Sequence, residues 1–348
     1  MGRDVDNKSW CKYNTTNGPS NLSDECAGCI CRIRSTSDTK GTCETKSCLL
    51  HKLTFEQNIS RIAASILDEQ IREKVFALAD KEFDIEISQK RRSLLDLLEE
   101  YPSATLPLGE FLAMLPPMRI RQYSISSTPL ADPTTATLTW SVLDAPSKIA
   151  DSKRFLGVAS NYLSNVGEGD RIHVAVKESH GNFHPPRDIE NTPVMMFCAG
   201  TGLAPFRGFI QERAIQAQAG RKLASAYLFI GCTHPGKDAI FKDELQQWEN
   251  AGIVKLFYAF SRAQEESKGC RHVHDRLWEE REEMIKVFDQ GAKLYVCGSS
   301  MVGEGVAATT KKIFQEYCDS IGKPKTDEEV ETWFQGIKSD RYASDVFA

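Results

Sequence analysis

Val194-Met195-Met196-Phe197-Cys198-Ala199-Gly200-Thr201-Gly202-Leu203-Ala204-Pro205-Phe206 runs from an all-apolar stretch through Gly-Thr-Gly into a segment with proline near its start. Such a run, bounded by a glycine turn, reads as a strand buried on both faces. Pro205 fits the first turn of a helix, where its missing N–H would have no partner anyway. Working outward, the same grammar recurs: Ala224 to Cys232, Ile253 to Phe260 and Ala292 to Cys297 are apolar strands separated by segments of helical apolar spacing. That alternation predicts an α/β domain with a mainly parallel sheet and a binding crevice at the carboxyl ends of its strands.

Upstream of Pro193 the pattern changes. Arg119 to Ser126, Ala136 to Leu143 and Asp170 to Lys177 alternate β-branched or aromatic residues with polar ones, which predicts an antiparallel sheet or barrel. Earlier still, Ile59, Ile62, Ala63 and Ile66, then Ile71, Val75 and Phe76, and then Ile87, Leu94, Leu95, Leu97 and Leu98 recur at helical spacing up to Tyr101-Pro102. The expected divisions are 1–52, a Cys-rich segment that is disordered or foreign to the fold; 53–115, helical; 116–188, β; and 189–348, α/β.

Six of the eleven cysteines (Cys11, Cys26, Cys29, Cys31, Cys43 and Cys48) fall in the first division. The CxxCxC spacing of Cys26, Cys29 and Cys31 could begin a zinc or cluster site, but the only nearby histidine is His51 and no periodic pattern surrounds it. No metal site is expected. The 348 residues carry 43 basic and 48 acidic side chains, a net charge of −5, which excludes the electrostatic footprint of a nucleic-acid binder. No apolar run has the length of a membrane span, and Met1-Gly2-Arg3-Asp4 does not open a signal peptide. A soluble, cytoplasmic protein is expected.

Each candidate motif has two readings. Gly200, Thr201 and Gly202 let backbone approach a ligand and open a helix whose amides attract phosphate; an ordinary glycine turn is the alternative. Ser261 and Arg262 emerge from a strand end where a guanidinium fork matches a ribose 2′-phosphate, with Lys268 and Arg271 adding charge, or they are plain surface residues. Cys297 ends a strand as a crevice thiol or as buried packing. Arg121 and Tyr123 share one face of their strand, opposite Gln122 and Ser124, and would supply a guanidinium for phosphate and a ring for a flat heterocycle. Gly157-Val158-Ala159-Ser160 reads as a second glycine-led helix start. The tail, Arg341-Tyr342-Ala343-Ser344-Asp345-Val346-Phe347, brings a carboxylate and a ring to the end of a helical, tryptophan-bearing pattern at Val330, Trp333, Phe334 and Ile337. Taken alone, Tyr342 and Phe347 are hydrophobic plugs.

Together and in this order, these stretches resemble the FAD/NADPH module of the diflavin reductases, the NADPH-cytochrome P-450 reductase family. They are most similar to the reductase half of fungal self-sufficient fusions of a cytochrome P-450 with its reductase, over about residues 53 to 348. The resemblance implies a ferredoxin-NADP reductase-like fold: a FAD-binding β-barrel lacking its opening strands, with a helical connecting insert, then a Rossmann-like NADPH-binding domain. It implies FAD and NADPH as cofactors and FMN only in another domain. Arg121, Tyr123 and Ser124 fall on the flavin-binding Arg-x-Tyr-Ser, Thr139, Trp140 and Ser141 on a flavin-touching strand, and Gly157, Val158, Ala159 and Ser160 on the pyrophosphate loop. Gly200, Thr201 and Gly202 fall on the NADPH turn, and Ser261 and Arg262, with Lys268, Arg271 and His272, on the 2′-phosphate site. Ser124, Cys297 and Asp345 match the residues around hydride transfer, and Phe347 the aromatic that stacks on the flavin.

Three departures stand out: Phe347 in place of a tryptophan, His272 in place of a tyrosine, and Ser299-Ser300 in place of an acidic pattern. The implied activity is that of an NADPH–hemoprotein reductase, passing hydride from NADPH to FAD and then electrons through an FMN domain or flavodoxin-like acceptor to a cytochrome P-450 haem. Peripheral association with the endoplasmic reticulum membrane is compatible with it. The alternatives are a remnant that binds NADPH without retaining FAD, and a reductase with a sulfite reductase or nitric oxide synthase type of acceptor.

Overall fold

The computed structural model describes residues 43–150, 152–179 and 182–347. The CxxCxC segment lies outside these residues. The described residues form two compact units, one of residues 43–120 with 143–157 and the other of residues 121–142 with 158–347.

In the first unit, α1 (Cys43–Ala64) begins inside the segment expected to be disordered, because a helix propagates cheaply once a packed turn has nucleated it. Ile59, Ile62, Ala63 and Ile66 form its core face at the spacing expected from sequence. They pack with Val75, Leu78 and Ala79 of α2 (Glu69–Ala79), Phe83 and Ile87 of a π-helical turn, Leu94 and Leu97 of α3 (Leu94–Glu100) and Met114 of α4 (Leu108–Met114). Ser93 and Asp96 make the capping box that starts α3. Asn58 is buried, its amide donating to the Met114 carbonyl at 3.2 Å. A two-stranded antiparallel sheet, β1 (Asp144–Pro146) and β2 (Arg154–Leu156), completes this unit.

The second unit opens on segment 121–142, which contains no strand of its own. The alternation expected to make strands of 119–126 and 136–143 yields isolated bridges rather than strands, Ile125↔Leu138 among them, and 170–177 is irregular. A pleated segment becomes a strand only where a neighbour completes its ladder, and here the pairing extends over about one residue on each side. After α5 (Val158–Ser164) comes the parallel sheet. Its members are β3 (Val194–Ala199), β4 (Ala226–Cys232), β5 (Lys255–Phe260), β6 (Lys293–Ser299) and β7 (Tyr342–Phe347), in the order β5-β4-β3-β6-β7.

Four of the five strands fall where the apolar runs placed them. The fifth is the tail, for which the sequence predicts no strand. Met196 and Cys198 point to one face, with Leu203, Phe206 and Ile210 of α6 (Leu203–Gln218) and Leu245 of α7 (Lys242–Asn250). Met195 and Phe197 point to the other, against α8 (Val273–Glu279), α9 (Arg281–Asp289), α10 (Ser300–Ser320) and α11 (Asp327–Asp340). Among the described residues, no helix is long and apolar enough to cross a membrane.

Candidate active site

The strand order reverses direction at the β3/β6 boundary, where an open parallel sheet places its crevice. The Gly-Thr-Gly turn sits there. Gly200 has φ +53°, a left-handed conformation that glycine adopts without steric cost. Gly202 is required for a different reason: a Cβ there would overlap the Cys297 carbonyl, 2.7 Å from its carbon. The turn therefore lies flush on the end of β6. Between the two glycines, Thr201 is buried and its hydroxyl has no hydrogen-bond partner. An orphaned buried hydroxyl costs about 1–3 kcal/mol and marks a place where a ligand could complete the bonding.

Strand register aligns the other predicted residues. Cys198 is the partner of Cys297, and Cys297 of Asp345, so the three form one row on β3, β6 and β7. All three are buried. The Cys198 thiol donates to the Phe229 carbonyl at 3.6 Å. Burial, reinforced by Cys297 and Cys232, pushes this thiol well above the usual range, so it is neutral at pH 7. Ser299 is the partner of Phe347, and the Phe347 ring is buried in the core that contains Cys297 and Tyr295.

The tail is held at its base. Arg341 donates to the carbonyls of Ala292 (3.0 Å) and Phe288 and lies 3.6 Å from the Phe288 ring centre. Trp333 stacks on Phe314 at 3.8 Å, and Phe334 meets Tyr342 edge-on at 5.1 Å. Thr326 and Glu329 cap the helix that carries these rings.

Ser261 and Arg262 follow β5, with Ser261 half-buried and Arg262 exposed; their amides donate to Cys232 and Thr233, each at 2.9 Å. From β5 to β6 is three strand spacings, on the order of 14 Å, so these residues and Cys297 could hold opposite ends of an extended dinucleotide. Lys268 is engaged elsewhere, in a 2.7 Å ion pair with Glu280, which also holds Arg276 at 2.8 Å. Arg271 and His272 are exposed, and their amides donate to Asp275 at the start of α8.

Arg121, Tyr123 and Ser124 are half-buried, as are Thr139, Trp140 and Ser141. The two stretches cross tightly. The Ser126 N–H donates to the Thr137 carbonyl at 2.7 Å, Thr139 donates its hydroxyl to Ser126 Oγ at 2.9 Å, and the Thr137 N–H donates to Ser127 Oγ at 2.9 Å. A guanidinium, a phenol ring and several hydroxyls on crossed half-buried segments are a donor set that fits a phosphorylated flat heterocycle. Gly157 closes the β1–β2 hairpin, its N–H donating to Leu143, while Val158 and Ala159 open α5 and Ser160 is buried in it. Among the described residues no group of three His, Cys, Asp or Glu side chains is arranged to hold a metal.

One arginine escaped the sequence reading altogether. Arg207 of α6 donates to the Ser126 carbonyl at 2.7 Å, across a separation of 81 residues that leaves no sequence signal.

Residues 52–162 match the family model described as FAD binding domain, and residues 196–307 the one described as oxidoreductase NAD-binding domain. The chain is 49% identical over 293 residues to a bifunctional cytochrome P450/NADPH–P450 reductase of Acremonium egyptiacum, covering 84% of this chain and 27% of that one. It is 46% identical over 292 residues to a protein of the same description from Fusarium oxysporum, with the same shares covered. It is also 46% identical over 259 residues to a self-sufficient cytochrome P450 monooxygenase of Phanerodontia chrysosporium, covering 74% and 24%. The chain carries a FAD-binding and an oxidoreductase NAD-binding domain, the pair that makes an FAD/NADPH reductase module, and is similar to the reductase half of these P450/NADPH–P450 reductases. It spans about a quarter of the length of these relatives. The ferredoxin-NADP reductase-like fold expected from sequence, with its FAD-binding and NAD-binding parts, is the fold of this family.

Proposed function

We propose that this chain binds NADPH along the carboxyl ends of β5, β3 and β6 and brings its nicotinamide to FAD held on the crossed strands around Ser124 and Thr139. The observation that carries this reading is the orphaned Thr201 hydroxyl, buried between a glycine of positive φ and a glycine packed onto the end of β6 at Cys297, the register partner of Asp345. When both cofactors are bound, NADPH supplies a hydride and FAD accepts it. The chain's own residues orient the exchange. Thr201 completes its bonding on the nicotinamide side. Asp345 supplies a negative charge fixed in a buried strand, where it favours a cationic nicotinamide. Ser124 offers a hydroxyl to the flavin, and Cys297 a buried thiol side chain for the ring. Ser261 and Arg262 engage the 2′-phosphate, assisted by Arg271 and His272, and so prefer NADPH to NADH. Arg121 engages the flavin phosphates, Tyr123 and Phe347 lie against its ring, Trp140 and Ser141 line the strand beside it, and Gly157 to Ser160 meet its pyrophosphate.

The fusions named among the relatives make an FMN domain and a cytochrome P-450 haem the proposed onward acceptors. The proposed location is the cytoplasm, including the cytoplasmic face of the endoplasmic reticulum. The test is the visible spectrum of the purified chain, with and without NADPH in the absence of oxygen. Flavin bands that bleach are expected; a colourless protein that cannot be loaded with FAD overturns the reading. Asp345→Asn should slow flavin reduction about 10-fold or more while NADPH affinity stays within about twofold. An unchanged rate in stopped flow removes Asp345 from its role.

A second reading, a module that binds NADPH and does not retain FAD, is favoured by Val174 and Val176, which are 60% and 75% exposed on a segment without a ladder. The same spectrum decides between the two.

A further inference from the structure

The helix that begins at the Gly-Thr-Gly turn also grips the strand expected to face the flavin. Arg207, Gly208, Gln211 and Glu212 form one patch on the second and third turns of α6. Arg207 Nη1 donates to the Ser126 carbonyl at 2.7 Å. Gly208 comes so close that a Cβ there would sit 3.3 Å from the Ser127 oxygen. Gln211 accepts the Thr128 N–H at 2.9 Å, and Glu212 accepts the Thr128 hydroxyl at 3.3 Å.

The Arg207 side chain is nearly buried and fully committed. Its remaining nitrogens make a two-pronged pair with Glu244 at 2.7 and 2.9 Å, and its guanidinium lies 4.5 Å from the Phe241 ring centre. Phe241 adopts φ +56°, a left-handed conformation costly for an aromatic residue, at the start of α7. Such strain persists only where surrounding contacts over-determine it, and here the ring lies against the guanidinium. Ser126 in turn holds Thr139 through its hydroxyl. A single chain of contacts therefore runs Phe241/Glu244–Arg207–Ser126–Thr139, from the dinucleotide unit's second helix to both crossed strands.

We propose that Arg207 is a positioning residue: by tying the Ser126 carbonyl to α6, it fixes Ser124, two residues earlier, against the turn that carries Thr201. Neither Arg207 nor Ser126 touches the reacting atoms. The mechanism is distance control. The same helix that begins at the nicotinamide turn sets the height of the flavin strand, and a displacement of about 1 Å at such a junction can cost on the order of 100-fold in rate. An arginine suits the task because its planar fork serves a carboxylate and a carbonyl at once, which a lysine cannot do.

This inference rests on the reading that Ser124 serves the flavin, so its test has a part that needs neither cofactor. In Arg207→Met, amide hydrogen exchange of peptides covering residues 121–139 should speed up about tenfold, the loss of one hydrogen bond to a charged donor. Peptides covering 194–199 and 293–299 should keep wild-type rates. In the FAD-loaded chain, reduction by NADPH should slow about 10- to 100-fold, with NADPH affinity within about twofold and an altered long-wavelength band for the nicotinamide–flavin pair. Glu244→Gln, which keeps the side chain's shape but removes its charge and one of the two acceptor oxygens, should move each readout the same way by less, and it stands in if Arg207→Met does not fold. Unchanged exchange at 121–139, or exchange raised equally in the sheet, overturns the proposal. So does a hydride rate that falls only in proportion to flavin content. A wild-type chain that never bleaches its flavin overturns the hydride reading instead, and the exchange result then decides the interlock by itself.

Discussion

Two regions of the chain carry sequences with equal appetite for strand, and only one becomes a sheet. Val194–Ala199 and Leu294–Cys297 are apolar at every position and are buried on both faces, with parallel neighbours on each side. Residues 119–126, 136–143 and 170–177 alternate correctly yet form only isolated bridges among the described residues, and Ile120, Val174 and Val176 face outward at 79%, 60% and 75% exposure. The difference lies in the ladder. Local β-preference is worth at most about 1 kcal/mol and depends on what the side chain packs against. Hydrogen bonding to two neighbours and burial of both faces decide the outcome in the sheet, and neither is present in the other region.

The strongest way to break this comparison is to attack the doubly buried strand. Phe197 is fully buried and stacked on Phe229 at 4.8 Å, so Phe197→Ala should cost about 3–5 kcal/mol. Urea titration should show a lower midpoint with an unchanged slope, and a loss under about 1 kcal/mol would mean that the sheet is not the stability core. Next comes Gly202→Ala. Its φ of −57° is helical, so alanine alone would gain up to about 1 kcal/mol. Against that stands a methyl driven into the Cys297 backbone, which cannot swing away as a side chain would. Overpacking of this kind costs about 1–3 kcal/mol, and the net should be a destabilisation of about 1–2 kcal/mol with weakened NADPH binding. A stabilised variant would show that the turn stands off from β6.

This contrast also explains what could be read from sequence. Four strands were legible because burial on both faces writes an uninterrupted apolar run; Val194–Ala199 agrees with expectation at both ends, and the other three differ by at most two residues at either end. The Gly-Thr-Gly turn was legible because glycine leaves few structural alternatives. The tail was only half legible. Asp345 and Phe347 were singled out, but Tyr342–Phe347 mixes small and polar residues, and nothing local says that it pairs with β6. The one signal was its period-two alternation, which puts Ala343 and Phe347 in one core and Tyr342 in the other. Lys268 was offered to a phosphate on charge alone, and its partner Glu280 stands 12 residues away. Arg207 was illegible because its meaning lies wholly in partners at Ser126 and Glu244.

The smallest expected effect sharpens the comparison most, because it applies one chemical change to both regions. Replacing valine by threonine keeps β-branching and volume and exchanges a methyl for a hydroxyl. At Val296, fully buried in β6, that hydroxyl has to be desolvated, and Val296→Thr should cost about 1–3 kcal/mol. At Val176, 75% exposed, the hydroxyl meets water and the backbone preference hardly changes, so Val176→Thr should lie within about 0.5 kcal/mol of wild type. Both variants are to be measured by urea titration of the same chain with and without added FAD. If Val176→Thr costs as much as Val296→Thr, the irregular region is covered in solution and its valines are core. If the cost appears only with FAD present, the flavin itself orders that region, and strand formation there is coupled to cofactor binding.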